Sequence, residues 1–197
     1  DGSKTYDYMT VYTKSALKEQ STPDNFQIAS DTVSSVTGIG FVDKDLDATD
    51  YGGTVTWSVP SLHTHVTHYV AYLATTAAGD DKSQVVSDRV KGTNVLSMPS
   101  ETLRVHSPKT YDYVTVYTKS ALKEQTTPGN LNAADTVSTV SSVKFVDKDL
   151  DATDYGGTVT WAAPSLHAQV THYVAYLATT AAGADKSQVV SPAGDRA

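Results

Sequence analysis

Residues 41–57 read FVDKDLDATDYGGTVTW, and residues 145–161 repeat them without a change. The likeness runs outward from there. Residues 5–23, TYDYMTVYTKSALKEQSTP, return at 110–128 as TYDYVTVYTKSALKEQTTP. The aligned parts are roughly 80% identical over a period of about 104–105 residues. A period of that length is a domain, too long for one turn of a solenoid. The 197 residues are therefore expected to be a slice of a tandem array, beginning and ending within a unit.

Within the quoted stretch, Thr54-Val55-Thr56-Trp57 alternates and puts Val55 and Trp57 on one strand face. The Asp-rich residues 43–50 and the Gly52-Gly53 pair before it read as a turn, and Val36–Asp43 as the preceding strand. Pro60-Ser61-Leu62-His63 ends the alternation. Val66–Ala74 is the next strand, apolar on both faces. Ala77–Asp81 is a loop, Ser83–Ser87 a short strand, and Thr93–Met98 another, ended by Pro99. Tyr111–Thr118 alternates again. Ser120–Gln125 fits one helical turn or a loop tip, and a weak last strand lies near Asn130–Val137. Seven short strands with no long helical period predict an all-β sandwich, with Trp57 and Trp161 in equivalent cores.

Composition narrows the function classes. The absence of Cys excludes a disulfide scaffold and thiolate metal sites. A net charge of -7 argues against nucleic acid as a partner. No apolar run reaches a membrane span, so no membrane insertion is expected of this segment, and Asp1-Gly2-Ser3 is not a signal peptide. No Asn-x-Ser/Thr acceptor occurs.

The order and spacing of these strands resemble a fibronectin type III domain. GGTVTWSVP at 52–60 is similar to its B strand with the core Trp and the following Pro. VTHYVAYLA at 66–74 is similar to strand C, and YDYVTVYTKS at 111–120 to strand F, with either Tyr111 or Tyr113 at the corner before it. The likeness implies an immunoglobulin-like sandwich. It assigns strands F and G of one unit to residues 1–30, a complete unit to 31–135, and strands A, B, C and C′ of a further unit to 136–197. More loosely, the block resembles tandem units of very large algal surface proteins, a likeness that implies no activity.

Asp43, Asp45, Asp47 and Asp50 place four carboxylates in one turn, and Asp147, Asp149, Asp151 and Asp154 repeat the set. Hard oxygen donors at alternate positions suit Ca²⁺. An EF-hand loop would also carry Gly at its sixth position and Glu at its twelfth, and neither is present; a solvated acidic turn is the plainer alternative. In the fibronectin-like lettering this turn faces the next unit, near His167, the equivalent of His63. Lysines of the F–G loop, Lys14 and Lys18 or Lys119 and Lys123, are the alternative partners for the carboxylates. His63, His65 and His68 have a spacing usable by Zn²⁺ or Cu²⁺, but the second copy has Gln169 in the middle place, and a loop His with surface neighbours is the preferred reading. Lys82-Ser83-Gln84 and Lys186-Ser187-Gln188 read as edge-strand gatekeepers or a contact patch. Tyr6, Tyr8, Tyr12, Tyr69 and Tyr72 lie on strands with only one inward face, so outward rings able to stack on sugars are expected beside ordinary cross-strand pairs.

There is no Gly-x-Ser-x-Gly elbow and no Gly-rich phosphate loop, so the chain reads as non-enzymatic. The leading expectation is a structural or adhesive extracellular or cell-surface protein, an array whose partners are flanking repeats or other copies of itself, head to tail. The alternative is a module that binds glycans or proteins; a third reading is an appendage to an enzyme elsewhere in a longer chain.

Overall fold

The computed structural model describes residues 4–28 and 33–189. Its elements are all strands. In chain order they are β1 (Tyr8–Val11), β2 (Asp24–Gln27), β3 (Thr37–Asp43), β4 (Asp50–Ser58), β5 (His68–Ala74), β6 (Ser83–Gln84), β7 (Arg89–Val90), β8 (Val95–Leu103), β9 (Val105–His106), β10 (Lys109–Thr110), β11 (Tyr113–Lys119), β12 (Gly129–Asn132), β13 (Ser141–Asp147), β14 (Gly157–Ala162), β15 (Tyr176–Leu177) and β16 (Ser187–Gln188). No helix long and apolar enough to cross a membrane occurs among the described residues.

Two main sheets form over residues 33–135, beside the small two-stranded β9–β10 sheet. One has the order β3-β4-β8; the other runs β12-β11-β5-β6, with β7 also on β5. All pairings are antiparallel. The alternation read from the sequence becomes the core: Tyr51, Val55 and Trp57 of β4 and Leu96 and Met98 of β8 join one apolar cluster with Tyr69, Ala71 and Leu73 of β5 and Val114 and Val116 of β11. Trp57 meets Tyr69 edge-on, ring centres 5.4 Å apart, a favoured aromatic geometry. The result is a β-sandwich-like all-β fold. Tyr111 is buried in this core, whereas Tyr113 is half-buried.

Two local expectations are corrected, and one open alternative is resolved. Gly52-Gly53 lies inside β4 and not in the turn. A Cβ at Gly53 would sit 2.3 Å from the Val42 carbonyl oxygen, which no side chain tolerates, and Gly157 meets Val146 in the same way at 2.1 Å. The strand expected to end at Pro99 continues to Leu103. β8 is an edge strand, where a missing N–H costs no ladder bond. Residues 120–125 form a loop tip: the Ser120 N–H donates to the Lys123 carbonyl at 3.0 Å, and Lys119 bridges Glu124.

The flanking segments reproduce pieces of the central pattern. β1 pairs β2 with Tyr8 opposite Gln27 and Val11 opposite Asp24, the register of β11 and β12. β13 pairs β14, including the irregularity near its start, as β3 pairs β4. β15 and β16 repeat the contact of β5 and β6. The β1–β2 strands pair only with each other among the described residues, and β15–β16 does likewise. The expectation that Trp161 occupies a core equivalent to that of Trp57 is not met. Trp161 keeps its edge contact with Tyr173 at 5.4 Å but is 39% exposed, against 5% for Trp57. Among the described residues no counterpart of β11 covers it. The expected unit boundary at residues 30–31, and residues 1–3 and 190–197, lie outside the described residues.

Candidate functional site

Two sites emerge from the sandwich: the acidic turn between β3 and β4, and a Tyr–Lys–Glu cluster on the outer face of the larger sheet.

In the turn, aspartates at alternate positions close Asx turns, each short carboxylate accepting from the backbone two residues on. Asp43 Oδ1 accepts from the Asp45 N–H at 3.1 Å and the Gly52 N–H at 3.0 Å. Asp45 Oδ1 accepts from the Asp47 N–H at 3.2 Å. Asp43 is buried, and its other oxygen accepts from the Thr136 N–H at 2.8 Å. Thr136 belongs to the segment leading to β13. That segment is gripped twice more: Asp135 Oδ2 accepts from the Thr49 N–H at 3.0 Å, and the Ser138 N–H donates to the Leu46 carbonyl at 3.1 Å. Arg104 holds Asp112 at 2.7 Å and approaches Asp135 at 3.5 Å. The Asp112 carboxylate raises the Arg104 pKa, and burial pushes the neighbouring Tyr51 hydroxyl up to about 12. The acidic turn is thus a clasp on the chain that leaves the sandwich. The Ser138 hydroxyl also donates to the Leu166 carbonyl, so the clasp touches the loop that carries His167.

The expected four-carboxylate set does not assemble as a unit. Asp45, Asp47 and Glu101 bring one oxygen each within 4.8 Å of one another; Asp43 and Asp50 stand outside this group. Glu101 was not readable from the sequence: it is 56 residues from Asp45, and a bulged turn of β8 at φ 59° brings it there. The Asp45 charge in front of it raises the Glu101 pKa. Ca²⁺ takes about 6–8 oxygens. Asp43 and Asp45 already accept backbone N–H bonds with both oxygens, so within the three-carboxylate group Asp47 and Glu101 are free of such bonds among the described residues. The second turn repeats the Asx turns, with Asp147 accepting from Asp149 and Gly156 and Asp149 from Asp151. Asp151 and Asp154 join no metal-sized group among the described residues.

The expected lysine partners act elsewhere. Lys119 pairs with Asp88 at 2.8 Å, because both sit beside the β5 edge shared with β7 and β11. The hydrogen bond from Lys119 holds the Asp88 carboxyl below the usual range. Lys14, Lys18 and Lys123 make no ion pair among the described residues. His63 and His167 share one local role: each ring Nδ1 lies against the carbonyl three residues back, Pro60 at 2.7 Å and Pro164 at 2.9 Å, and so carries the proton there. His63, His65 and His68 form no metal-sized group among the described residues.

The second site was not anticipated. Lys82 precedes the edge strand β6, and it also makes specific contacts. Its ammonium lies 3.7 Å from the centre of the Tyr117 ring and 4.3 Å from that of Tyr72, and pairs with Glu124 at 2.6 Å. The Tyr72 hydroxyl donates to Glu124 at 2.8 Å; burial, and then this bond, raise its pKa. Glu124 comes from the loop between β11 and β12. The cluster therefore ties that hairpin to β5 and β6 and covers the Tyr72 and Tyr117 rings, whereas Tyr6, Tyr8 and Tyr12 stay exposed. In the third segment only half of it exists: Lys186 lies 4.9 Å from the Tyr176 ring centre. The paired retention of Tyr72 with Tyr176, Lys82 with Lys186 and Glu124 with Glu19 was the available signal.

Compared with models of protein families, with curated proteins and with solved structures, the chain matches none.

Proposed function

We propose that this chain is part of a structural or adhesive array of fibronectin type III-like units joined end to end, outside the cell or on its surface. The strand order β3-β4-β8 against β12-β11-β5-β6 supports the fibronectin type within the sandwich-like fold. On that lettering β3, β4, β5, β6, β8, β11 and β12 are strands A, B, C, C′, E, F and G. Residues 1–30 and 136–197 are then parts of neighbouring units.

The observation that carries the reading is the clasp. Asp43, a carboxylate buried within the unit, spends one oxygen on the backbone of the connecting segment, and Leu46 and Thr49 hold two further points of it. A junction held through two backbone N–H groups and one side-chain carboxylate resists bending more than a free linker does. A stiff, repeated junction is what a stalk, filament or coat requires. Small-angle scattering on the chain and on its Asp43→Ala variant tests this. A stiff, elongated profile is expected for the parent and a broader distribution of lengths for the variant. A compact parent profile, or identical profiles, would contradict it.

For the glycan-binding alternative, Lys82 caps Tyr72, Tyr69 is buried, and the expected outward rings left to stack on a sugar are Tyr6, Tyr8 and Tyr12. Ca²⁺ remains a proposal restricted to Asp45, Asp47 and Glu101.

A further inference from the structure

Between β13–β14 and residues 173–177 lies an open apolar cleft of about 450 Å³, lined among others by Phe145, Tyr155, Val159, Trp161, Ala175 and Leu177. Every one of these has a counterpart of the same residue type in the central sandwich: Phe41, Tyr51, Val55, Trp57, Ala71 and Leu73. There the equivalent space is occupied, by side chains of β8 and by Val114 and Val116 of β11, both fully buried. The central unit is thus a template for what fills the cleft. The hairpin that would fill it is present in the same chain with its apolar face uncovered. Met9 and Val11, the equivalents of Val114 and Val116, are 62% and 68% exposed.

We propose that the β1–β2 hairpin of a second copy of this chain docks in this cleft and pairs with the segment at residues 172–178, which carries β15. The register follows from the template. Tyr113 opposes Ala74 and Lys119 opposes His68, so Tyr8 opposes Ala178 and Lys14 opposes His172. Met9 and Val11 then turn into the cleft beside Trp161.

Polar groups complete the match. Lys186 is stacked on Tyr176 and has no carboxylate partner among the described residues. Glu19 of the hairpin is equally without an ion-pair partner there. Docking brings Tyr12 over Lys186 and Glu19 against Lys186 and the Tyr176 hydroxyl, rebuilding the Tyr72–Lys82–Tyr117–Glu124 cluster. One template contact is not rebuilt: the position of Asp88, which holds Lys119, is Pro192 in the third segment. The seat of β8 on the free edge of β14 also stays open.

The hairpin is already in its docking form. The Gln20 N–H donates to the Thr13 carbonyl at 2.9 Å and the Thr13 hydroxyl to Gln20 Oε1 at 2.8 Å. In the central unit the same bonds, from Gln125 and Thr118, measure 2.9 and 3.0 Å. Little ordering cost remains at binding. A lone two-stranded hairpin is marginal in water, so docking stabilises both partners. Donor and acceptor are different surfaces, so the contact is heterologous and propagates unless two copies exchange hairpins reciprocally.

This inference rests on reading residues 136–189 as an incomplete unit. Sedimentation of the full chain over about 1–200 µM tests it. Concentration-dependent association is expected, lost in Val11→Asp and lost in Val159→Asp. Val11 is exposed in the free chain, so its substitution leaves folding intact. Mixing the two variants must restore a one-to-one heterodimer and nothing larger, since one keeps a working cleft and the other a working hairpin. A parent chain that stays monomeric throughout, or a Val11→Asp chain that still associates, would overturn the proposal. A monomer with an elongated scattering profile overturns docking and leaves the array reading standing. Association limited to a closed, reciprocal dimer supports docking and contradicts the array.

Discussion

Residues 41–57 and 145–161 are one sequence in two states. Both fold into the same hairpin, with the same register and the same Asx turns. In the first, Tyr51 is fully buried; in the second, its equivalent Tyr155 is 72% exposed. The difference lies in what faces and flanks them. β11 faces the first hairpin and β8 flanks it, whereas neither has a counterpart at the second among the described residues. Local sequence sets strand, turn and register; burial, and the stability that comes with it, is supplied by the opposing sheet.

The largest way to break the comparison is through the tryptophans. Trp57→Ala should destabilise the central sandwich by about 3–5 kcal/mol, the cost of emptying a packed aromatic site. Trp161→Ala should cost less than about 1 kcal/mol, since its ring already meets solvent. Denaturant unfolding of both variants at low protein concentration checks the asymmetry. Equal losses would mean that the third segment is closed.

The clasp gives a second contrast. Asp43→Ala strands three backbone N–H groups and should cost about 2–4 kcal/mol. Asp147→Ala strands two, both exposed to water, and should cost under about 1 kcal/mol. Thermal unfolding of each variant reads this directly.

Lys82→Ala uncouples the β11–β12 loop from β5 and removes a part-exposed cation–π contact, an effect of about 1 kcal/mol. Lys186→Ala should leave the stability of the free chain unchanged, as its cluster is only half built.

The smallest effect concerns Glu101. Its pKa is raised by Asp45, so its contribution is fully favourable below the ordinary glutamate pKa. It is lost as pH rises through the elevated one. Glu101→Gln should remove that loss and raise the melting temperature at neutral pH in chelator. If Asp45, Asp47 and Glu101 hold Ca²⁺, millimolar Ca²⁺ stabilises the parent and not this variant. Calorimetry showing no heat of Ca²⁺ binding leaves the clasp as the turn's sole role.

Much of the sandwich was legible in the sequence, because alternation at Val55 and Trp57 and turn chemistry around Pro60 and Ala77–Asp81 are local signals. What escaped was long-range. The passage of β8 through Pro99 depends on its being an edge strand. Glu101 reaches Asp45 only through a bulge, and Lys82 meets Tyr117 and Glu124 only after β5 and β11 pair. The acidic run was visible as a carboxylate cluster, but its work as a backbone clasp required the position of Thr136. Exposure of Trp161 depends on strands that its own segment does not carry.

The most direct test is the environment of the two indoles, one at a time, in Trp161→Phe and Trp57→Phe chains at low concentration. Trp57 should emit to the blue and resist acrylamide quenching. Trp161 should emit to the red and be quenched freely, moving to the blue as concentration rises. Indistinguishable emission and quenching of the two at every concentration would contradict the account.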